Sequence, residues 1–107
     1  MYSATFMVKV SSYDETFHQL NDRIIEIAEE NPGYLGRESW TQDDRNVVIL
    51  YWKTLEDLRA FGNHPDHLLA KSRYQEWYAG YKIVIAQVLR EYGDGQYPEP
   101  YIGAPEI

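Results

Sequence analysis

Residues Val47–Gly93 read VVILYWKTLEDLRAFGNHPDHLLAKSRYQEWYAGYKIVIAQVLREYG. The opening run, Val47–Lys53, is apolar at successive positions, which predicts a strand covered on both faces. Thr54-Leu55-Glu56-Asp57 has the form of a capping box and opens a short helix carrying Leu58 and Phe61. Gly62-Asn63-His64-Pro65 interrupts that helix, because proline has no N–H to continue it and restricts the residue before it. The spacing predicts a resumed helix over Asp66–Tyr78, then a final strand over Tyr81–Tyr92. The second half of the chain is therefore strand, broken helix, strand. Its histidines and many of its aromatic side chains fall on or beside that helix.

Working outward, Ala4, Phe6, Val8 and Val10 alternate with Thr5, Met7 and Lys9, the period-two pattern of a half-buried strand. Ser12-Tyr13-Asp14-Glu15 resembles a second capping box, with Ser12 as the expected cap. Phe17, Leu20, Ile24, Ile27 and Ala28 follow as the apolar stripe of a helix. Asn31-Pro32-Gly33 ends it. Tyr34–Thr41 predicts another strand, and the polar stretch Gln42–Asn46 a hairpin turn into Val47. The order β-α-β-β-α-β is that of an α+β, ferredoxin-like domain, a four-stranded antiparallel sheet with both helices on one face. Such a sheet leaves its other face uncovered within one chain. The aromatic content, ten Tyr, three Trp and three Phe, predicts that a second copy covers that face, giving a homodimer by sheet-to-sheet packing.

At 107 residues the chain forms one domain. It contains no cysteine, so disulfides and thiolate chemistry are excluded. No signal peptide or bilayer-spanning run is visible, and a cytoplasmic location is expected. The net charge of −7 opposes a nucleic-acid partner. Residues 94–107 carry Pro and Gly with Tyr97 and Tyr101, and are expected to form an arm, with Tyr97, Pro98, Pro100, Tyr101 and Pro105 docking it. The domain proper is expected to span residues 1–93.

Asn31-Pro32-Gly33-Tyr34-Leu35, Val48–Trp52, Phe61-Gly62-Asn63-His64-Pro65-Asp66-His67, Trp77-Tyr78 and Val88–Tyr92 together resemble the antibiotic biosynthesis monooxygenase family of dimeric α+β barrel proteins. The resemblance covers residues 1 to about 93. It implies a pocket between sheet and helices in each protomer. In some members it implies oxygenation of aromatic polyketides without metal or flavin, and in others haem binding and cleavage. His67 matches the position type of the haem ligand. The Asn and Trp that accompany it in haem-cleaving members have no counterpart here, since no Asn lies on the first strand and neither Trp52 nor Trp77 falls just upstream of His67. No cofactor is therefore expected, with haem the one group the resemblance admits.

Two function classes stay open: a monooxygenase without metal or flavin acting on a small aromatic or apolar substrate, and a binding protein of the same fold for haem or a small molecule. His67 is the candidate catalytic residue, a base or iron ligand on one reading and an imidazole sealing the helix–sheet seam on the other. His64 lies three residues away, which could bring both to one ligand, or it caps the helix. The pair lacks the further protein ligand a metal site wants. Trp52, Phe61, His64, Lys71, Tyr74 and Tyr78 are the candidate substrate-binding residues: rings to stack on a flat molecule, a phenol to bind its oxygen, an amine to pair with an anion. Trp77 reads as core ahead of a pocket wall, Arg37 as a surface ion-pair partner ahead of a side chain that orients a ligand anion, and His18 has no assigned role. No Ser-His-Asp order, phosphate loop or dinucleotide fingerprint is present.

Overall fold

A computed structural model describes residues 1–97. Strand β1 (Tyr2–Val10) leads through helix α1 (Glu15–Glu30) to the hairpin β2 (Tyr34–Gln42) and β3 (Arg45–Trp52). Helices α2 (Leu55–Gly62) and α3 (Pro65–Ser72) and a single 3-10 turn (Tyr74–Glu76) precede β4 (Tyr78–Gln87). The strands form one antiparallel sheet in the order β2-β3-β1-β4, so the ferredoxin-like α+β arrangement predicted from the sequence is the fold. The arm residues from Pro98 to Pro105 lie outside the described residues. No helix among the described residues is long and apolar enough to cross a membrane.

Four local expectations are corrected. The cap of α1 is Asp14, not Ser12: the Asp14 carboxylate accepts from Phe17 N at 2.8 Å. Ser11 and Ser12 instead donate their backbone N–H groups to the Trp77 carbonyl, at 2.8 and 3.3 Å. The hairpin turn is tighter than Gln42–Asn46, with Asp43 taking the left-handed conformation at φ 54°. The helix expected to run to Tyr78 ends at Ser72. There Arg73 turns the chain, held by a bidentate pair to Glu76 at 2.6 and 2.9 Å. Finally, β4 spans Tyr78–Gln87 rather than Tyr81–Tyr92. Its partner β1 begins at Tyr2 opposite Gln87, and a single further backbone bond, from Val88 N to Met1 O, follows the ladder.

The core is thin and split. Ile27, Ala28, Trp52, Leu58 and Phe61 form a buried cluster at the end of the sheet where β3 stops, with Tyr34 and Tyr2 packed against it. At the opposite end Trp77 is buried beneath α1, tilted against Phe17 at 5.6 Å, while Phe17 stacks on Tyr13 at 3.7 Å and meets Tyr78 edge-on at 6.1 Å. Ring contacts of this kind contribute about 0.5–1.5 kcal/mol each beyond their buried area. The exposed ion pairs, such as Arg37–Glu29 at 3.5 Å, contribute about 0.2–1 kcal/mol. The aromatic ends therefore seat the helix layer.

Asp14 ties the second end together. Besides capping α1 it accepts from Trp77 Nε1 at 2.9 Å, and its pKa is held below the usual carboxylate value, first by the Phe17 N–H and further by the Trp77 indole. Lowered carboxylates stabilise the fold above the unfolded-state pKa, and that contribution disappears as pH falls through the folded pKa. Asp14→Ala is expected to lower the urea midpoint at pH 7 more than Asp14→Asn, which retains a neutral acceptor. The stability gap between wild type and Asp14→Asn should close on acidification, as measured by urea unfolding at pH 7 and pH 3. A gap independent of pH would show that the carboxylate charge is idle.

Candidate active site

Between the two aromatic ends the helices stand away from the sheet and leave a cavity of about 700 Å3. Its floor is the helix-facing side of the sheet, with Ala4, Phe6, Val48, Leu50, Ile83 and Ile85. Its roof is the inward stripe of α1 and the faces of α2 and α3. Tyr81, Ile83 and Ile85 line it yet are 50%, 46% and 54% exposed, so the cavity opens along β4. A volume of this size suits a small organic molecule, and the walls are predominantly apolar.

The break between α2 and α3 sets the chemistry of the roof. In a continuous helix the Phe61 carbonyl would accept from residue 65, but residue 65 is proline and has no N–H. The carbonyl is left for two other donors: His64 N at 3.2 Å and the His67 ring through Nδ1, also 3.2 Å. A carbonyl only accepts, so Nδ1 carries the proton and the neutral imidazole presents a bare lone pair at Nε2. The next carbonyl, Gly62 O, would accept from Asp66 N. That N–H is taken by His64 Nδ1 at 3.1 Å, and Gly62 O receives Lys71 Nζ at 3.0 Å. Both unpaired carbonyls at the end of α2 thus orient side chains of α3.

Rings support this base from behind. Tyr34 meets Trp52 at 5.3 Å, Trp52 meets Phe61 at 4.9 Å, and Phe61 meets His67 at 4.6 Å. His67 has its pKa pushed below 6.5, chiefly by burial, with the Phe61 carbonyl opposing and the Lys71 and His64 charges assisting. It is neutral at pH 7.

Of the candidate residues, Phe61, His67, Lys71, Tyr74 and Tyr78 come together around the cavity. His64 does not line it; its ring is the cap of α3. Trp52 does not line it either: it is fully buried under Phe61, its Nε1 without a partner among the described residues. Trp77 is core, though it touches the cavity edge. Tyr78 is a protonated donor, since burial first and the Tyr13 phenol second raise its pKa well above the ordinary phenol value. No group of three or more His, Cys, Asp or Glu poised for a metal occurs among the described residues. The residues do not fit haem cleavage: β1 carries no Asn, Trp52 is sealed away, and Trp77 sits at the far end from His67.

Arg37, read from the sequence as a surface ion-pair partner or as a side chain that orients a ligand anion, lines the cavity, and the reason is geometric. Along a regular strand Tyr34 and Arg37, three apart, face opposite sides. A bulge at Leu35–Gly36, with Gly36 at φ 125°, shifts the register so that Tyr34 stands opposite Trp52 and Arg37 opposite Leu50. Both then face the helices, and Arg37 Nη1 reaches the Tyr34 hydroxyl at 3.4 Å and Glu29 at 3.5 Å. A similar irregularity in β4, where Lys9 pairs with Gly80 and Val10 with Tyr78, puts Tyr78 and Tyr81 on the cavity side together. Gly36 in the sequence was the available signal for the first bulge.

Because the His67 pKa is lower in the folded state than in the unfolded chain, acidification through 6.5 protonates the unfolded chain first, and stability falls. Urea unfolding at pH 7.5 and pH 5.5 should show a loss in wild type that is smaller in His67→Gln. An equal loss in both proteins would place the titrating group elsewhere.

The geometry agrees with three comparisons. The chain is 28% identical over 92 residues to the uncharacterized protein YqjZ of Bacillus subtilis, covering 84% of this chain and 81% of that one. Its fold is similar to that of SnoaB, a cofactor-independent oxygenase from Streptomyces nogalater, with a TM-score of 0.70 at 12% identity over 87% of this chain and 97% of that one. It is also similar to that of Rv0793 from Mycobacterium tuberculosis, with a TM-score of 0.69 at 13% identity over 87% and 100% of the two chains. A family match extends over residues 2–86, nearly the whole described domain, and it agrees with the resemblance to antibiotic biosynthesis monooxygenases. The chain belongs to the Monooxygenase af470-like family.

Proposed function

We propose that the protein is a monooxygenase that works without metal or flavin on a small aromatic substrate bound in the cavity, with His67 as the base. The observation that carries this reading is the neutral imidazole on the wall of an apolar cavity, its Nδ1 pinned to the Phe61 carbonyl and its Nε2 free. Family membership and the fold shared with a cofactor-independent oxygenase support it.

The chemistry asks little of the protein. In an electron-rich polycyclic phenol with an activated ring methylene, His67 Nε2 takes one methylene proton. The resulting carbanion passes one electron to O2, and the radical pair joins as a carbon–oxygen bond. The second proton on the same carbon passes to the outer peroxide oxygen as the O–O bond breaks, leaving a ring carbonyl and hydroxide. The imidazolium returns its proton to make water. The sum is R2CH2 + O2 giving R2CO + H2O, with the substrate supplying every electron. Phe61 and Tyr74 bound the flat body, Tyr78 donates to a substrate oxygen, and the apolar walls exclude water. The test is oxygen uptake with anthrone-type phenols. General-base removal costs about 10²-fold or more, so His67→Ala should reduce turnover by at least that amount. Unchanged turnover would remove His67 from the mechanism, and ligand binding without any uptake would favour a binding protein.

The same reading includes a homodimer formed sheet to sheet. The sheet face away from the helices carries Met7, Val47, Ile49, Tyr51 and Val84 with Trp40, the last 50% exposed. An apolar face of this extent is one that soluble chains cover. Light scattering at low micromolar concentration should give twice the chain mass, and Ile49→Glu should give a single chain. A folded wild-type monomer at that dilution would overturn the dimer.

A further inference from the structure

The chain carries seventeen acidic residues and a net charge of −7. None of its described carboxylates lines the cavity, whereas Arg37, Arg59 and Lys71 all do. These cations come from three different elements: β2 in the floor, and α2 and α3 in the roof. Elsewhere Arg23 is matched to Asp66 at 3.1 Å and Arg73 to Glu76 at 2.6 Å. Arg59 and Lys71 make no ion pair among the described residues, and the one ion pair of Arg37, to Glu29, is long at 3.5 Å, with the Glu29 side chain 58% exposed. A wall that gathers cations while an acidic chain keeps its carboxylates out is matched to negative charge.

Arg37 is the best-placed partner. It rises from the apolar floor between Ser39 and Tyr34, where the Gly36 bulge aims it. Only Nη1 is engaged, by Tyr34 and Glu29, so the guanidinium retains donors for a bidentate contact. Lys71 is steadied over the Gly62 carbonyl with two of its three protons to spare. Its charge is close enough to depress His67, so a cation sits beside the proposed base. The repulsion of the acidic exterior is screened beyond about 10 Å in ordinary salt, so these contacts decide what stays in the cavity.

We infer that the cavity takes an anionic aromatic molecule, a ring system bearing a carboxylate or phenolate, with its acidic group held by Arg37 and assisted by Lys71 and Arg59. As a statement of substrate class this rests on the oxygenase reading; as a statement of binding it stands on the charge distribution. The same cations would stabilise the second negative charge that forms when the base removes a proton.

The test uses a pair of fluorescent probes, anthracene-2-carboxylate and anthracene-2-methanol, which share the ring system and carry an anionic or a neutral oxygen substituent at the same position. Their affinities for the full chain are compared at low salt by anthracene fluorescence. The carboxylate should bind about tenfold more tightly or better, the size expected of a charge-assisted contact. The preference should shrink on adding salt and fall below about threefold in Arg37→Met/Lys71→Met. Arg37→Lys/Lys71→Arg, which keeps both charges, should retain most of it. Equal affinities in wild type, no binding of either probe, or a preference that survives the double Met variant would each overturn the inference. Oxygen uptake separates the two readings. Turnover of neutral phenols with no carboxylate preference keeps the oxygenase and rejects the anion site, and a carboxylate preference with no uptake does the reverse.

Discussion

The helix layer of this protein is attached to its sheet at two ends and not in the middle. At one end Trp52, Phe61 and Tyr34 lock α2 to the close of β3, with Ile27 and Ala28 bringing in the last turns of α1. At the other, Trp77 and Phe17 with the Asp14 carboxylate lock the first turn of α1 to the start of β4. Large rings hold the layers apart as well as together, so the side chains between them, from Phe6 and Val48 below to Leu20 and Ile24 above, line a space instead of filling one. A chain of this size has little apolar surface to spare, and an unfilled middle is a cost that stability alone would not select.

The site then grows from a defect in a helix. Proline at position 65 removes one N–H, the Phe61 carbonyl is left over, and His67 fills the gap through Nδ1. That bond selects the tautomer that both a base and a metal ligand need. His64, three residues from His67 in the sequence, is used to cap the new helix and so keeps Asp66 N from the Gly62 carbonyl that Lys71 occupies. Residues that look like a histidine pair divide into one that builds the helix start and one that faces the cavity.

Much of the architecture was legible in the chain. Alternation at Ala4–Val10, the apolar stripe from Phe17 to Ala28 and the breaks at Asn31-Pro32-Gly33 and Gly62–Pro65 depend on local sterics and on period, which short stretches express on their own. The errors fall where distant groups decide. Asp14 outcompetes Ser12 as a cap because its carboxylate also serves the Trp77 indole, 63 residues away. β4 stops at Gln87, which stands opposite Tyr2, the first residue of β1. Trp52 reads in the sequence as a pocket wall but is covered by Phe61, because strand position shows which face a ring is on, not whether another ring will lie over it.

By itself the sequence determined the order of elements, the antiparallel ferredoxin-like sheet and the helix break that carries His67, since each follows from hydrophobic period and from backbone groups that proline or glycine removes or frees. Tertiary structure alone decided which side chains meet. The bulge at Gly36 puts Arg37 on the same side as Tyr34, and the one at Ala79 puts Tyr78 on the same side as Tyr81, against the simple alternation of a strand. The separation of the aromatic ends sets the room between the layers. Both outcomes depend on how strands register and how rings stack across the fold, and neither is encoded in any single stretch of residues.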